Sequence, residues 1–526
     1  MSLIYCCGTL VLLLLIPRVC QAGNILVVPV EGSHWLNMDI LLKALHSRGH
    51  NITILRTSRS WYIPYNSSDY NIVTVQTEKS LDQEFITNAV SLCIEYERGT
   101  ISLPTFLHMK VVLFGLAIKI HETVGEFVSK TIDDQELVRN LKDSKFDLLL
   151  TEPCLGGGVI LAKYFNLPLV FNVQLMLGSE AHAVIAPSPI SYVPMTGSGN
   201  TDKMNILQRV KNMGIYLLTQ TQYHLVVKQT YQRICDKYLG PDIEYHQLVL
   251  NADIWLMRTD FVFEYPRPTM PNVVYMGGFH CRPAKPLPEH LEEFVQSSGD
   301  HGVIIMSLGT FVSQLPADMT NEIAAAFAKL PQKVIWRHKG DRPATLGNNT
   351  LLVDWMPQND LLGHPKIKLF VAHGGTNGVQ EAIYHGVPVV GLPLFFDQYD
   401  NLLRLKERGG AKILTLATVD EENFLENVQE VLNEPSYRMN MQRLSWLHRD
   451  QPTTPLDKAL FWIEFVMRHK GAAHLRTESY RLPWYSYHSV DVVLFLVGAV
   501  LLVLLFIFIL MRCLYAALCK SKVKRD

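Results

Sequence analysis

Short apolar runs alternate with helix-like patterns along most of the chain. NILVVPV from Asn24 has the pattern of a buried strand, DILLKALHSR repeats apolar residues at helical spacing as far as Gly49, and NITIL from Asn51 follows as a second strand. The same unit recurs at FDLLL and LPLVFNV, and a second series runs through VIIM, KVIWR and LLVDW. This alternation predicts parallel sheets covered by helices.

A proline-rich stretch, residues 281–290, separates the two series and predicts a stiff linker. We therefore predict an α/β fold of two Rossmann-like doubly wound domains, 23–280 and 291–448, facing a cleft. A crossover and juxtamembrane segment, 449–490, follows them. Because open parallel sheets bind ligands at the carboxyl ends of their strands, the cleft is the expected site.

Two apolar segments, 103–127 and 174–192, interrupt the alternation. We expect them to be irregular. They would pack as ordinary core, line an apolar pocket or contact a membrane.

Both ends of the chain carry membrane-targeting patterns. Leu10 to Ile16 form a short apolar core, and Cys20 and Ala22 give a cleavage pattern, so residues 1–22 are predicted to be a signal peptide. The apolar stretch 491–511 predicts a transmembrane helix.

The tail, 512–526, is rich in Lys and Arg and is therefore expected to be cytosolic, which makes the chain a single-pass type I protein with lumenal domains. Lys522 and Lys524 resemble a dilysine signal for the endoplasmic reticulum membrane, or are plain positive-inside charge.

Charge and cysteine content exclude other classes of protein. A formal net charge of -1 gives no basic field for nucleic acid. Of the 9 cysteines, those in the predicted lumenal part are widely spaced, which indicates neither a metal site nor a dense disulfide framework: Cys93, Cys154, Cys235 and Cys281. Sequons begin at Asn51, Asn66 and Asn348, which are the expected glycosylation sites.

The stretch FVAHGGTNGVQEAIYHGVPVVGLPLFFDQYDN, from Phe370, contains the densest candidate chemistry. His373-Gly374-Gly375 closes a predicted strand and opens a helix, as in a phosphate cradle, although a plain tight turn has the same pattern. Asp397 and Gln398, expected at the end of the next strand, could chelate adjacent sugar hydroxyls.

Neighbouring strand ends carry groups for the rest of a nucleotide sugar. Trp355 offers a flat face for a base, and Gln358 offers an amide for its edge. Glu381 lies one helical turn beyond Asn377, where a carboxylate suits a ribose diol.

WMPQNDLLGHP and the stretch from Phe370 resemble the signature of the UDP-glycosyltransferases, and specifically of the vertebrate UDP-glucuronosyltransferases. The likeness covers nearly the whole chain. It implies a GT-B fold and inverting transfer from UDP-glucuronate to a small lipophilic acceptor, with no metal and no cofactor beyond this co-substrate. It also implies donor-binding roles for Arg258, Ser307, Arg337, Trp355, Gln358, His373, Gly375, Asn377, Glu381, Asp397 and Gln398.

The resemblance assigns the catalytic base to His34 in GSHW, on the first predicted strand-to-helix loop. A loop histidine taken alone is more often structural. The family's partner of this base is an Asp after an FD strand, and this chain has Glu152 there. Glu152 is therefore the expected partner, with Asp147 as a substitute.

Other functions fit the same residues. The donor could be UDP-glucose, UDP-xylose or a UDP-N-acetylhexosamine, because Asp397 and Gln398 do not discriminate at the far end of the sugar. An inactive membrane partner of active paralogs is a second alternative, supported by Glu152 alone. A secreted hydrolase would need a pair of carboxylates that we do not find in the sequence. Assembly with further copies or with paralogs is compatible with each of these functions.

Overall fold

A computed structural model describes residues 22–79, 83–99, 102–174, 181–310, 312 and 314–523. Apart from Ala22, the predicted signal peptide lies outside the described residues, as does Lys524 in the tail.

The first half of the chain forms a seven-stranded sheet in the order β3-β2-β1-β4-β5-β6-β7. Every neighbouring pair is parallel. The strands are β1 Asn24–Val28, β2 Asn51–Thr57, β3 Asn71–Val75, β4 Leu148–Thr151, β5 Leu169–Val173, β6 Ile254–Met257 and β7 Val273–Tyr275.

The second half forms a six-stranded sheet in the order β10-β9-β8-β11-β12-β13, also parallel throughout. Its strands are β8 Val303–Ser307, β9 Lys333–Arg337, β10 Thr350–Val353, β11 Ile367–Ala372, β12 Val389–Gly391 and β13 Ala411–Ile413. In both sheets the chain crosses from the centre to one edge and then returns to the other side of the starting strand. This reversal creates a crevice at the carboxyl ends of the strands.

Helices cover both sheets. In the first half they are α1 Ser33–Ser47, α2 Gln83–Glu97, α3 Leu103–Asp133, α4 Gln135–Asp143, α5 Gly157–Tyr164, α6 Ala181–Ile185, α7 Ile206–Gln222, a π-helix Tyr223–Lys228, α8 Gln229–Tyr238 and α9 Tyr245–Leu250. In the second half they are α10 Glu289–Gln296, α11 Ala317–Ala328, α12 Gln358–Leu362, α13 Thr376–His385, α14 Gln398–Glu407, 3-10 helix Leu416–Thr418, α15 Glu421–Asn433, α16 Pro435–Arg449, α17 Pro455–His469 and 3-10 helix Ala473–Leu475.

The predicted fold class is confirmed, since two parallel sheets carry helices on their faces. The expectation of irregular structure at 103–127 is wrong, because this segment belongs to the 31-residue helix α3. Apolar residues occur all around α3, so its sequence has no single apolar stripe at helical spacing to reveal the helix. In the segment 174–192, the part from Ala181 to Ile185 is the short helix α6.

Helix α17 follows the second sheet in sequence but packs on the first. Its buried residues Leu460, Ile463 and Val466 share one core with Ile25 of β1 and Leu148 of β4. Arg48, just after α1, donates to Asp457 at 2.8 Å and to Glu464 at 3.1 Å. The segment after the second sheet therefore completes the core of the first.

The two sheet regions are also joined through α14. The guanidinium of Arg404 donates to the carboxylate of Glu264 at 2.9 Å, and both side chains are buried. Asp400 of α14 accepts the backbone N–H groups of Gly197 at 2.5 Å and Gly199 at 3.0 Å. Burial would raise the pKa of Glu264, but the charges of Arg404 and Arg267 and the other groups around the carboxylate together outweigh burial and hold that pKa below its usual range.

The C-terminal unit begins at Arg476 and is described by itself. It contains 3-10 helix Glu478–Tyr480, α18 Trp484–Tyr487 and α19 Val490–Val523. From Val490 to Leu518, α19 is long and apolar enough to cross a membrane, with a mean hydropathy of 3.5. This helix contains the predicted span 491–511.

We expect Ile463→Ala to destabilise the first domain, although residue 463 follows the second sheet in sequence. The side chain is fully buried, so its truncation should leave a cavity that costs about 2–5 kcal/mol of unfolding free energy. Denaturant unfolding of the detergent-solubilised chain, followed by tryptophan fluorescence, measures the loss. Met439→Ala on α16, whose side chain is 65% exposed, is the control and should change stability by less than about 0.5 kcal/mol. Equal effects of the two variants would contradict this assignment of the core.

Candidate active site in the cleft

A cavity of about 590 Å³ lies where the carboxyl ends of the two sheets face each other. It has the size of a small-molecule site. Most of the predicted site residues line it, namely His34, Ser307, Arg337, Trp355, Gln358, His373, Gly375, Asn377, Glu381, Asp397 and Gln398. Glu152 and Arg258 do not line this cavity.

His34 and Glu152 are brought together because β1 and β4 are adjacent parallel strands with Val28 paired to Thr151. Glu152 directly follows β4, and the Nδ1 atom of His34 lies 2.5 Å from its Oε2 atom. The His34 side chain is 15% exposed, whereas Glu152 is fully buried. The sequence predicts His34 on a loop. In the structure His34 is the second residue of α1. The pair thus joins a carboxylate without solvent contact to an imidazole at the cavity wall.

Asp147 is not a substitute for Glu152. It precedes β4, and its carboxylate accepts the backbone N–H of Asn24 at 2.9 Å, at the amino end of both strands. The length of β4 therefore separates Asp147 from His34.

Arg258 lies near Glu152 and does not line the 590 Å³ cavity. Its side chain is buried and lines a smaller cavity of about 230 Å³ that also includes Asp397. Burial lowers the pKa of the Arg258 guanidinium to about 10, and the neighbouring carboxylate of Glu152 opposes this shift. Arg258 therefore remains cationic at neutral pH and offsets the charge of Glu152.

Two residues that the sequence did not predict connect the halves of the site. The side-chain amide of Asn37, in α1, lies 3.1 Å from the Arg258 guanidinium and 2.5 Å from the amide of Asn377, in α13. The His280 ring lies 3.3 Å from the backbone oxygen of Asn377. The only feature of the sequence that could have indicated Asn37 as a site residue is its position one helical turn after His34. His280 lies just before the linker, and no sequence pattern marks it.

The glycines around His373 make room for its ring. A Cβ atom on Gly309 or on Gly375 would lie 2.5 Å from the Nε2 atom of His373. Burial lowers the pKa of His373 to about 4, so the ring is neutral at pH 7. Its Nδ1 atom has no hydrogen-bond partner among the described residues. His373 can therefore give or accept one hydrogen bond without carrying charge.

Arg337 and Trp355 also line the 590 Å³ cavity. The Arg337 guanidinium donates to the backbone oxygen of Gly309 and lies 5.5 Å from the centre of the Trp355 ring. Trp355 is 63% exposed, so one face of its indole is available for a planar ligand. Ser307 ends β8, beside Ala372 of β11, and faces the same space.

Gln358 and Glu381 are paired at 2.6 Å, with the amide of Gln358 donating to the carboxylate. Burial raises the pKa of Glu381 to about 7, although the bond from Gln358 opposes the shift. Glu381 therefore changes charge near neutral pH inside the cavity.

Asp397 and Gln398 were expected at the end of a strand. The structure contradicts this expectation, because β12 stops at Gly391. They stand at the start of α14. The Oε1 atom of Gln398 accepts the backbone N–H of Leu394 at 2.8 Å. The carboxylate of Asp397 accepts from Asn401 at 2.8 Å. Gln398 thus shapes the preceding loop as well as facing the cavity.

Solved structures with the same architecture are glycosyltransferases. The glycosyltransferase of kitacinnamycin superposes with a TM-score of 0.56 at 16% identity, covering 85% of this chain and 100% of that one. CalG4, the calicheamicin glycosyltransferase, gives a TM-score of 0.55 at 16% identity, with 84% and 98% covered. At such identities the likeness shows the fold, which is the GT-B arrangement of two Rossmann-like domains around a cleft.

Residues 23–525 match the family described as UDP-glucoronosyl and UDP-glucosyl transferase, and the chain belongs to that family. UDP-glucuronosyltransferase 2A3 of Cavia porcellus is 42% identical, with 91% of this chain and 90% of the relative covered. UDP-glucuronosyltransferase 2C1 of Oryctolagus cuniculus is 42% identical over 94% of this chain and 99% of its own length. UDP-glucuronosyltransferase 2A2 of Homo sapiens is 42% identical, with 93% and 92% covered.

The affinity for a UDP-sugar should fall as the pH drops below about 7, because Glu381 then takes up a proton and accepts hydroxyl hydrogen bonds less well. Well below that pH, affinity should fall by up to about tenfold per pH unit if only the carboxylate form binds. Calorimetry with UDP-glucose, whose diphosphate does not titrate in this range, measures it. Glu381→Gln should bind more weakly and show a flat profile, and an equal slope in this variant would exclude Glu381 as the titrating group.

Proposed function

We propose that the chain transfers glucuronate from UDP-glucuronate to a hydroxyl or similar group of small lipophilic acceptors, with inversion at the anomeric carbon. The observation that carries the mechanism is the 2.5 Å contact between His34 and the fully buried Glu152 at the wall of the cavity. The N-terminal domain, 23–280, would bind the acceptor, and the C-terminal domain, 291–448, would bind the donor.

His34 acts as the general base. With Nδ1–H donated to Glu152, the Nε2 atom keeps a lone pair that can take the proton of the acceptor. As the acceptor oxygen forms its bond to the anomeric carbon, the bond from that carbon to the diphosphate oxygen breaks. The imidazolium formed on His34 is then stabilised by the Glu152 carboxylate, which has no water to weaken the attraction.

The departing UDP is stabilised by the C-terminal domain. The first turn of α13 follows Gly375 with no side-chain cap, so its backbone N–H groups are available to phosphate oxygens. His373, Asn377, Ser307 and Arg337 add donors in the same cavity. Trp355 would stack on uracil, Gln358 would bind the nucleoside and Glu381 the ribose, while Asp397 and Gln398 would hold the sugar hydroxyls. This set needs no metal ion for transfer.

Glucuronate is the proposed sugar because similar proteins that cover most of the chain are named UDP-glucuronosyltransferases. Arg258 supports an anionic sugar as well, since a buried cation lies beside the cavity that holds Asp397. UDP-glucose, UDP-xylose and UDP-N-acetylhexosamines remain the alternative donors for the same fold.

A lipophilic acceptor and a membrane location suit the chain. Leu36, Ile40 and Phe396 line the cavity that contains His34, giving apolar surface beside the base. A single apolar helix, α19, would anchor the protein in the endoplasmic reticulum membrane, with its catalytic domains in the lumen and Lys522 in a cytosolic tail. Asn51, Asn66 and Asn348 are exposed and would be available for glycosylation. Assembly with copies or paralogs is compatible with this arrangement.

Glu152→Gln should lower turnover by on the order of 10³–10⁴ while leaving the affinity for UDP within about twofold, because an amide can hold His34 in the wrong tautomer. Single-turnover rates and calorimetry measure the two quantities. Asp147→Asn, at the other end of β4, is the matched control and should retain most of the turnover. If Glu152→Gln turns over like the wild-type chain, Glu152 is not the partner of the base.

The assay for the function is transfer by the full chain in microsomes, with each UDP-sugar supplied to a mixed panel of phenols and steroids and products read by mass. We expect glucuronides from UDP-glucuronate, a loss of at least about 10³-fold in His34→Ala, and no loss on adding a chelator. A different donor sugar in the products would select the alternative donor. Transfer that needs a divalent ion, or that survives in His34→Ala, would overturn the mechanism.

A further inference from the structure

We propose that His34, Glu152 and Cys154 form a site for a zinc-type divalent ion, and that an ion bound there switches the enzyme off. One ligand atom of each residue lies within 4.8 Å of the other two. The role of this site in inhibition rests on the proposed function of His34 as the base, whereas its existence as a metal site does not.

The distance between the Cys154 and Glu152 ligand atoms is close to that in a zinc site. The Sγ atom of Cys154 lies 3.8 Å from Oε2 of Glu152. Zinc bonds of about 2.0–2.3 Å in a tetrahedral arrangement place neighbouring ligand atoms roughly 3.3–3.7 Å apart. The contact of 2.5 Å between His34 and Glu152 would therefore open by about 1 Å as the ion replaces the proton between them.

Glu152 has an unused acceptor in this cluster. Its Oε1 atom is buried and accepts no hydrogen bond among the described residues, although an unmet buried carboxylate oxygen is costly. Thiolate, imidazole and carboxylate together are the ligands that zinc prefers, and magnesium and calcium avoid the first two.

The local charge permits a cation. Arg258 is close enough to act on both Glu152 and Cys154 and opposes the ion. The ion in turn displaces the thiol proton of Cys154, so two anionic ligands outnumber the single guanidinium. His34 borders the large cavity, which provides the entry path, and solvent or the acceptor can take the fourth position.

Binding at Nδ1 explains why the ion would inhibit. A neutral imidazole with a metal on Nδ1 carries its proton on Nε2, and this nitrogen then has no lone pair for the acceptor's proton. Donor binding, which depends on the opposite domain, would not change. The inhibition would therefore lower turnover without weakening the affinity for UDP.

The experiment measures glucuronide formation by the full chain against added Zn²⁺, with Mg²⁺ as the hard-ion control and each variant normalised to its own zinc-free rate. We expect inhibition by Zn²⁺ alone that a chelator reverses. Cys154→Ala should raise the half-inhibitory concentration at least about tenfold, the usual cost of disturbing a metal shell. Cys235→Ala, another buried cysteine, should leave it unchanged.

Cys281→Ala tests the competing explanation, because the Sγ atom of Cys281 lies 3.8 Å from the Nε2 atom of His280 in the same cleft. Relief by Cys281→Ala and not by Cys154→Ala would overturn the proposal.

A direct measurement separates the metal site from the catalytic role of His34. Co²⁺ titrated into the purified chain should give a thiolate charge-transfer absorption that Cys154→Ala abolishes and Cys281→Ala retains. An absent band, or a band that survives in Cys154→Ala, would show that the site does not exist. A band that depends on Cys154, with no loss of transfer, would support the site and count against His34 as the base.

Discussion

The site depends on the two domains being held so that α1 faces α13. Glu264 and Arg404 supply much of this constraint, since they form a buried ion pair across the cleft at 2.9 Å. Removing one partner of such a pair leaves an uncompensated buried charge, which costs about 3–5 kcal/mol. The same helix, α14, begins with the residues proposed to hold the donor sugar. The ion pair that holds the domains together therefore also positions Asp397 and Gln398.

Burial explains how Glu152 would serve as the proposed partner of His34, at a position where the resemblance implies an aspartate. The extra methylene would cost conformational entropy in a mobile side chain. Here Glu152 is fully enclosed, with His34 at 2.5 Å on one side and the charge of Arg258 beside it. The surrounding residues thus restrict the conformational freedom that the longer side chain of Glu152 would otherwise have. The departure in sequence leaves the contact with the base in place.

Much of the fold could be predicted because it depends on local pattern. Apolar runs and glycines placed β1, β2 and β11. Helix α3 was missed because apolar residues occur all around its first half, which leaves no periodic contrast between faces there. Local pattern also misplaced His34 on a loop, since the first turn of α1 has no acidic or capping side chain to mark it.

The site was predictable only where a motif holds the residues together. The residues predicted to bind the donor between Trp355 and Gln398 lie within one stretch of sequence, and the structure brings them to one cavity. Asn37 and His280 contact Asn377, which is distant along the chain, so their sequence positions could not reveal these contacts. The predicted donor-binding role of Arg258 stays a prediction, since this residue lies near Glu152 and also lines the smaller cavity that includes Asp397.

The two histidines of the cavity have different proposed roles because their surroundings differ. His373 is enclosed by Gly309 and Gly375, and burial lowers its pKa to about 4, so it resists protonation and suits a neutral hydrogen bond to phosphate. His34 has a carboxylate at 2.5 Å and an open side toward the cavity, so it can accept a proton and keep the resulting charge stable. The histidine beside glycines looks more like a catalytic motif in the sequence. The proposed base is instead His34, which has the buried carboxylate of Glu152 beside it.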